Sequence, residues 1–133
     1  MLANQFTDYT VAQYKLGLVY PINNDLNGSD EDGLESVKLI DHPSSYNYSV
    51  LNHRRIYVVG EGPRSSPGKP STHQSEIKQK MVLKSYKTYK TIHVFHETKD
   101  KTITYLGPYY VNSISRKITH AGWVYSQIEL LEK

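Results

Sequence analysis

Apolar residues recur along this chain in two rhythms, a helical one in its first and middle parts and a two-residue one towards its end. Thr7 and Asp8 can cap a short helix through about Leu16, with Val11, Ala12 and Tyr14 on a partly apolar face and Gly17 as its stop. Leu18-Val19-Tyr20 then reads as a brief strand ended by Pro21, and the Asn-, Asp- and Gly-rich stretch from Asn23 to Gly33 reads as loop. Leu34 to Ile40 fits either element: Leu34, Val37 and Ile40 suit a helix, while Val37, Leu39 and the short length suit a strand. Pro43 to Tyr48 is a Ser/Tyr/Asn surface loop.

The apolar run Ile56-Tyr57-Val58-Val59 feeds the turn Gly60-Glu61-Gly62, where the missing Cβ atoms let backbone come close to whatever sits at the tip. A Pro/Ser/Gly loop from Arg64 to Pro70 follows. A basic helix is predicted from about Ser71 to Tyr86, opened by the capping-box pair Ser71 and Gln74 and carrying Ile77, Met81, Leu83 and Tyr86. From Thr91 the period is two. Ile92, Val94 and His96 alternate with His93 and Phe95, and Ile103 and Tyr105 with Thr102 and Thr104. Glu97 to Lys101 is a polar hairpin turn. Gly107-Pro108 is expected to break the strand, Tyr109-Tyr110-Val111 to start another, Ile114 to Thr119 to form a hairpin tip, and Trp123 to Leu130 to be the last strand. No internal repeat is present.

At 133 residues the expectation is a single domain, residues 1–133, with a sizeable core. Twelve tyrosines against two phenylalanines and one tryptophan suit wet binding surfaces, where a ring and a hydroxyl are both used. The lack of cysteine excludes disulfides, thiolate metal sites and cysteine nucleophiles. No apolar run is long enough for a bilayer helix and the N-terminus lacks a secretory pattern, so a soluble intracellular protein without a membrane partner is expected. The formal net charge of +3 hides an asymmetry. Residues 1–52 carry Lys15 and Lys38 against seven acids, whereas residues 53–90 carry nine bases against Glu61 and Glu76. A concentrated basic block is the electrostatic footprint of a phosphate-binding protein.

Catalytic chemistry does not assemble. His93 and His96 are three apart, which on a strand points them to opposite faces rather than to one metal. Glu97-Thr98-Lys99 has the acidic-x-basic form of a nuclease strand, but Glu76, twenty-one residues earlier, is the nearest preceding carboxylate. Asp25, Asn27, Ser29 and Asp30 hint at a calcium loop without its sixth-position glycine. Gly60-Glu61-Gly62 with Lys69 lacks the Gly-Lys-Ser/Thr of a phosphate loop. With no nucleophile, base and orienter together, the reading is a binding module with no catalytic residue, metal or cofactor.

The order of elements over residues 57–130 resembles the SRA (SET- and RING-associated, or YDG) domain family. Tyr57-Val58-Val59-Gly60-Glu61-Gly62 is similar to the family's aromatic-x-Gly-x-Gly strand and turn. Gln74 to Lys84 resembles its helix, with Lys80-Met81-Val82-Leu83 in place of the usual Asn-Arg-Ala-Leu core. Thr91 to Phe95 sits where the family has Lys-Pro-Val-Arg-Val. Tyr105-Leu106-Gly107-Pro108-Tyr109-Tyr110-Val111 resembles Tyr-Asp-Gly-x-Tyr-x-Val, with Leu106 replacing the signature aspartate, and Gly122-Trp123-Val124-Tyr125 through Leu130 resembles the closing strand. The first 45 residues align with none of these motifs. The lean length is similar to the compact prokaryotic members found beside nucleases in modification-dependent restriction, which implies a bacterial cytoplasm.

The resemblance implies an α+β fold, a curved β-barrel flanked by short helices, that flips one modified base of double-stranded DNA into a pocket. The base would be a modified cytosine such as 5-methyl- or 5-hydroxymethylcytosine, and the partner a nuclease domain or subunit. Spacing back from Gly60 puts Tyr46 at one stacking position, Ser49 where the family has the aspartate that reads the exocyclic amine, and Val58 at the second stacking position, with Tyr48 or Tyr57 able to supply a ring instead. A hydroxyl donates or accepts, so Ser49 discriminates less sharply than a carboxylate. The Arg64–Pro70 loop, with Arg64 and Lys69, lies where the family inserts a finger into the duplex, and Arg54, Arg55, Lys78 and Lys84 are candidate phosphate contacts. Two other classes compete with this one: a β domain that binds single-stranded nucleic acid by tyrosine stacking over a basic groove, and a protein-interaction domain whose charge split is incidental.

Overall fold

The structure, a computed structural model, describes residues 4–40, 48–52, 54–59, 73–118 and 124–133. Among these residues eight strands and two helices follow one another as β1 (Gln5–Phe6), α1 (Tyr9–Leu16), β2 (Leu26–Ser29), β3 (Gly33–Ile40), β4 (Tyr48–Asn52), β5 (Arg55–Val59), α2 (His73–Thr88), β6 (Ile92–Glu97), β7 (Ile103–Ile118) and β8 (Val124–Glu132). The sheet runs β2-β3-β6-β7-β8-β5-β4, with β1 added to β7. The β3–β6 pair is parallel and the others are antiparallel, so the fold is α+β on a mixed sheet. The barrel implied by the resemblance is corrected. Among the described residues β2 pairs only with β3 and β4 only with β5, and with no ladder joining those two edges the sheet is open.

Local signals explain α1. The Asp8 carboxylate accepts from the Val11 N–H at 2.8 Å, and Gly17 ends the helix in the left-handed region at φ 67°. Its Ala12 is buried with Phe6, Ile22, Phe95 and Ile103 against one face of the sheet. On the other face α2 buries Met81 and Val82 in the main core with Leu34, Val37, Ile56, Val58, Ile92, Val94, Ile128 and Leu130. Tyr89, at φ 54°, follows the end of α2. Ser71, the expected cap of that helix, lies outside the described residues, as do Gly60 to Gly62 and the Arg64–Pro70 loop.

Several expected elements differ. Leu18 to Tyr20 is not a strand, because the Val19 and Tyr20 N–H groups donate to the Glu35 carboxylate at 2.9 and 2.7 Å and leave no ladder to join. The stretch read as loop from Asn23 contains β2. Its Asn27 is buried yet satisfied: Oδ1 accepts from the Asn23 and Asn24 N–H groups, and Nδ2 donates to the Asn24 carbonyl and the Ser36 hydroxyl. Gly28 is required there, since a Cβ would stand 2.0 Å from the Gly33 carbonyl oxygen. Leu34 to Ile40 is strand. Tyr48, expected at the end of a loop, opens β4, and residues 43–47 lie outside the described residues.

Gly107-Pro108 does not break β7. The irregularity is absorbed as a bulge opposite Val94 and Phe95, with Gly107 at φ 116°. One long strand therefore joins the two halves of the sheet, pairing with β6 through Tyr109 and with β8 from Tyr109 to Ile118. Ile114 to Ile118 is strand rather than hairpin tip for the same reason.

Candidate nucleic-acid interface

Strand β5 carries the middle of the candidate site. Successive side chains alternate across a strand. Ile56 and Val58 accordingly enter the main core, 0% and 4% exposed, while Arg55 and Tyr57 project from the opposite face. The antiparallel register sets Tyr48 opposite Val58 and Ser49 opposite Tyr57. Four pocket candidates thus meet at two neighbouring rungs of the β4–β5 corner. Tyr57 and Val58 do not share a wall, however, and Tyr46 lies outside the described residues.

On the Tyr57 face the structure assembles a network around Glu129 that sequence reading missed. Tyr57 Oη donates to Glu129 Oε2 at 2.9 Å, Asn112 Nδ2 and the Ser113 hydroxyl donate to Oε1 at 2.6 and 3.3 Å, and Arg55 Nε stands 3.6 Å from Oε2. Asn112 reaches in because β7 shifts register between Val111 and Ser113. The Asn112 amide, opposed by burial and aided by the Tyr57 hydroxyl and Arg55, holds the Glu129 carboxyl below its ordinary range. The bond to Glu129 in turn holds the Tyr57 hydroxyl above its own. The only hint in the sequence is a glutamate in mid-alternation, between Ile128 and Leu130.

Among the described residues the expected cations lie on two elements, Arg54 and Arg55 at the start of β5 and Lys78 and Lys84 on α2. Arg54 Nε lies 3.8 Å from Glu132 Oε2, so Arg55 in β5 and Arg54 just before it each face a β8 glutamate. Lys84 is exposed on the outer side of α2, in a stripe with Lys80 and Lys87, because Met81, Val82 and Ser85 turn the helix's other side inward. These three lysines make no ion pair among the described residues. Lys78 is half-buried and lines a cleft of about 190 Å3 with Tyr20, Asn24, Ile77 and Met81. Arg64 and Lys69 lie outside the described residues.

His93 and His96 lie on β6. His93 pairs with the Tyr105 hydroxyl at 2.7 Å through Nδ1, and no group of three or more His, Asp or Glu side chains among the described residues is placed to hold an ion. Glu97-Thr98-Lys99 leads into a turn closed by the Thr98 N–H on the Thr102 carbonyl at 3.0 Å. No described helix is long and apolar enough to cross a membrane.

No protein-family model matches the sequence, and no curated relative does. Among solved structures, the chain is similar to the SUVH5 SRA domain in complex with hemi-methylated CG DNA, with a TM-score of 0.76 at 16% identity over 100% of this chain and 89% of that one. The chain has an SRA fold. A second SUVH5 SRA structure, bound to fully hydroxymethylated CG DNA, matches with a TM-score of 0.69 at 18% identity over 96% of this chain and 86% of that one. The modification-dependent TagI restriction endonuclease matches with a TM-score of 0.67 at 15% identity, over 97% of this chain but 48% of that one. The SRA likeness thus takes in the first 45 residues, which align with no sequence motif of the family.

Proposed function

We propose that this chain binds double-stranded DNA carrying a modified cytosine, 5-methyl- or 5-hydroxymethylcytosine, by flipping that base out of the duplex, and that it targets a nuclease held in the same or another chain. The observation that carries this reading is likeness along the whole chain to SRA domains bound to methylated and to hydroxymethylated CG DNA. The nuclease partner is argued from TagI, of which this chain spans about half. The chain itself recognises and does not cleave.

Base capture must offset unstacking, a few kcal/mol, by sandwiching the base and satisfying its polar edge. Tyr46 stacks on the base and Ser49 bonds its edge from the rung it shares with Tyr57, while Tyr48, on the neighbouring rung with the buried Val58, backs the pocket from the core side. Tyr57, whose hydroxyl is held by Glu129, lies beside Ser49 on that face. The Arg64–Pro70 loop, with Arg64 and Lys69, fills the vacated space in the duplex. Lys84, with Lys80 and Lys87 beside it and Lys78 at the helix's flank, takes phosphates, which fixes register without reading sequence. Arg54 and Arg55 reach phosphate only by leaving their glutamates.

The test is binding to matched duplexes that are unmodified, methylated or hydroxymethylated at one cytosine, with the single strands alongside. A modified duplex held at least tenfold more tightly than its unmodified twin supports the proposal. Equal affinities sink it, and preference for the single strands transfers the protein to the stacking-groove class.

A further inference from the structure

The two arginines that open the β5 region are each met by a carboxylate of the next strand. With Arg55 opposite Leu131, the antiparallel register places Glu129 and Glu132 on either side of that rung. The Glu132 N–H donates to the Arg54 carbonyl at 2.8 Å, which fixes the two chains at this end. Arg55 Nε then lies 3.6 Å from Glu129 and Arg54 Nε 3.8 Å from Glu132. Neither distance is that of a short charge-assisted bond of about 2.8 Å, so each pair is a loose one. Burial differs between the acids: the Glu129 side chain is 13% exposed and that of Glu132 46%.

Opening the Arg55 pair leaves no bare carboxylate. Tyr57, Asn112 and Ser113 continue to donate to Glu129, and these neutral donors keep its charge solvated. The guanidinium is half-exposed and carries donors beyond Nε. A phosphate that approaches it therefore competes with a loose carboxylate contact and the neighbouring Tyr57 hydroxyl, not with a closed fork.

We infer that Glu129 and Glu132 are built-in competitors of duplex phosphate for Arg55 and Arg54, and that they hold sequence-independent DNA binding below what the basic block would otherwise give. This rests on the reading of the chain as a duplex-binding domain. Phosphate contacts act alike on every sequence. Screening two cations therefore shortens the time spent on unmodified DNA and leaves capture of the modified base as the step that retains the protein.

The experiment measures affinity for an unmodified duplex across a range of salt concentrations, for the wild type, for Glu129→Gln with Glu132→Gln, and for that pair with Arg54→Ala and Arg55→Ala added. The double glutamine variant should bind about tenfold more tightly, with a log–log salt slope steeper by about 0.9 for each arginine that gains a phosphate. Adding the alanines should abolish the gain. An unchanged or weaker double variant overturns the inference, and so does a gain that survives loss of the arginines, which would be only the effect of removing negative charge. Thermal midpoints report folding, and if Glu129→Gln unfolds the chain, the half-exposed Glu132→Gln alone should still give a gain that Arg54→Ala removes. Preference for modified cytosine is read separately. If it is absent while the gain appears, modified-base recognition fails and screening stands; if it is present without the gain, screening alone falls. Failure of every variant to bind duplex sinks both.

Discussion

The Ser85 hydroxyl on α2 accepts the backbone N–H of Leu34 on β3 at 2.7 Å, and both residues are fully buried. This bond ties the helix to the strand beside the β2–β3 hairpin, where Gly33 leaves no room for a Cβ, which would stand 2.7 Å from the same hydroxyl oxygen. Ser85→Ala strands a buried N–H and should cost about 1–3 kcal/mol. Urea unfolding should show a lower midpoint with an unchanged slope. A midpoint within error of the wild type would mean that the amide has another partner.

What was legible in the sequence is what local chemistry decides. Asp8 and Gly17 announced α1, and the two-residue alternation announced β6 and β8. What was not legible depends on partners far along the chain. Leu18 to Tyr20 has a strand's composition, but Glu35, fifteen residues after Tyr20, takes its amides. Asn27 reads as loop because nothing nearby in sequence reveals the buried Ser36 that helps to satisfy it. Gly107-Pro108 looks like a break because a bulge exists only in relation to the paired strand. The same holds at the site. In sequence Tyr57 reads as a ring, yet its hydroxyl is held by Glu129, seventy-two residues away and unremarkable until β5 lies beside β8.

Burial holds the His93 imidazole below its ordinary pKa, partly opposed by the Glu35 charge, and Nδ1 is hydrogen-bonded with the Tyr105 hydroxyl at 2.7 Å. The unfolded chain therefore binds more protons than the folded one between the depressed folded pKa and about 6.5. Stability from this group is complete above about 6.5 and is lost as pH falls through the folded pKa. Thermal midpoints should fall between pH 7.5 and 5.5, and His93→Gln should flatten that part of the profile. A His93 ring that titrates by NMR at or above the ordinary value would contradict this.

Tyr57→Phe removes one of the hydrogen bonds that stabilise the Glu129 carboxylate and leaves those from Asn112 and Ser113. The loss should lower the urea midpoint slightly. The Glu129 carboxyl should titrate closer to its ordinary range, visible by carbon NMR of that side chain. Because the Phe variant keeps the ring on the rung of Ser49, preference for a modified duplex should persist; its loss would mean that the Tyr57 hydroxyl itself takes part in reading the base.

Lys80, Lys84 and Lys87 follow one another at i, i+4 and i+7 on the outer side of α2. Each lysine that neutralises a phosphate contributes about 0.9 to the log–log salt slope of duplex binding. The triple alanine variant should lose between two and three units of slope on modified and unmodified DNA alike, with little change in thermal midpoint. An unaltered slope would leave α2 out of the interface.

Tyr46 and Ser49 carry the proposed base capture. Ser49 sits opposite Tyr57 at the start of β4, next to the Tyr48–Val58 rung, so a base delivered to this corner meets the strand end directly. Stacking a base on an aromatic ring is worth roughly 1–3 kcal/mol by alanine substitution. Tyr46→Ala should therefore weaken binding of the preferred modified duplex by about ten- to a hundredfold, and that of unmodified DNA far less, because there phosphate contacts dominate. Ser49→Ala should chiefly narrow the gap between the two, since a hydroxyl at the base edge contributes to reading and little to attraction. A fluorescent base analogue at the modified position gives an independent signal, as unstacking on binding should brighten it. Equal losses on both duplexes, without brightening, would make Tyr46 a backbone contact and place the pocket elsewhere on the sheet.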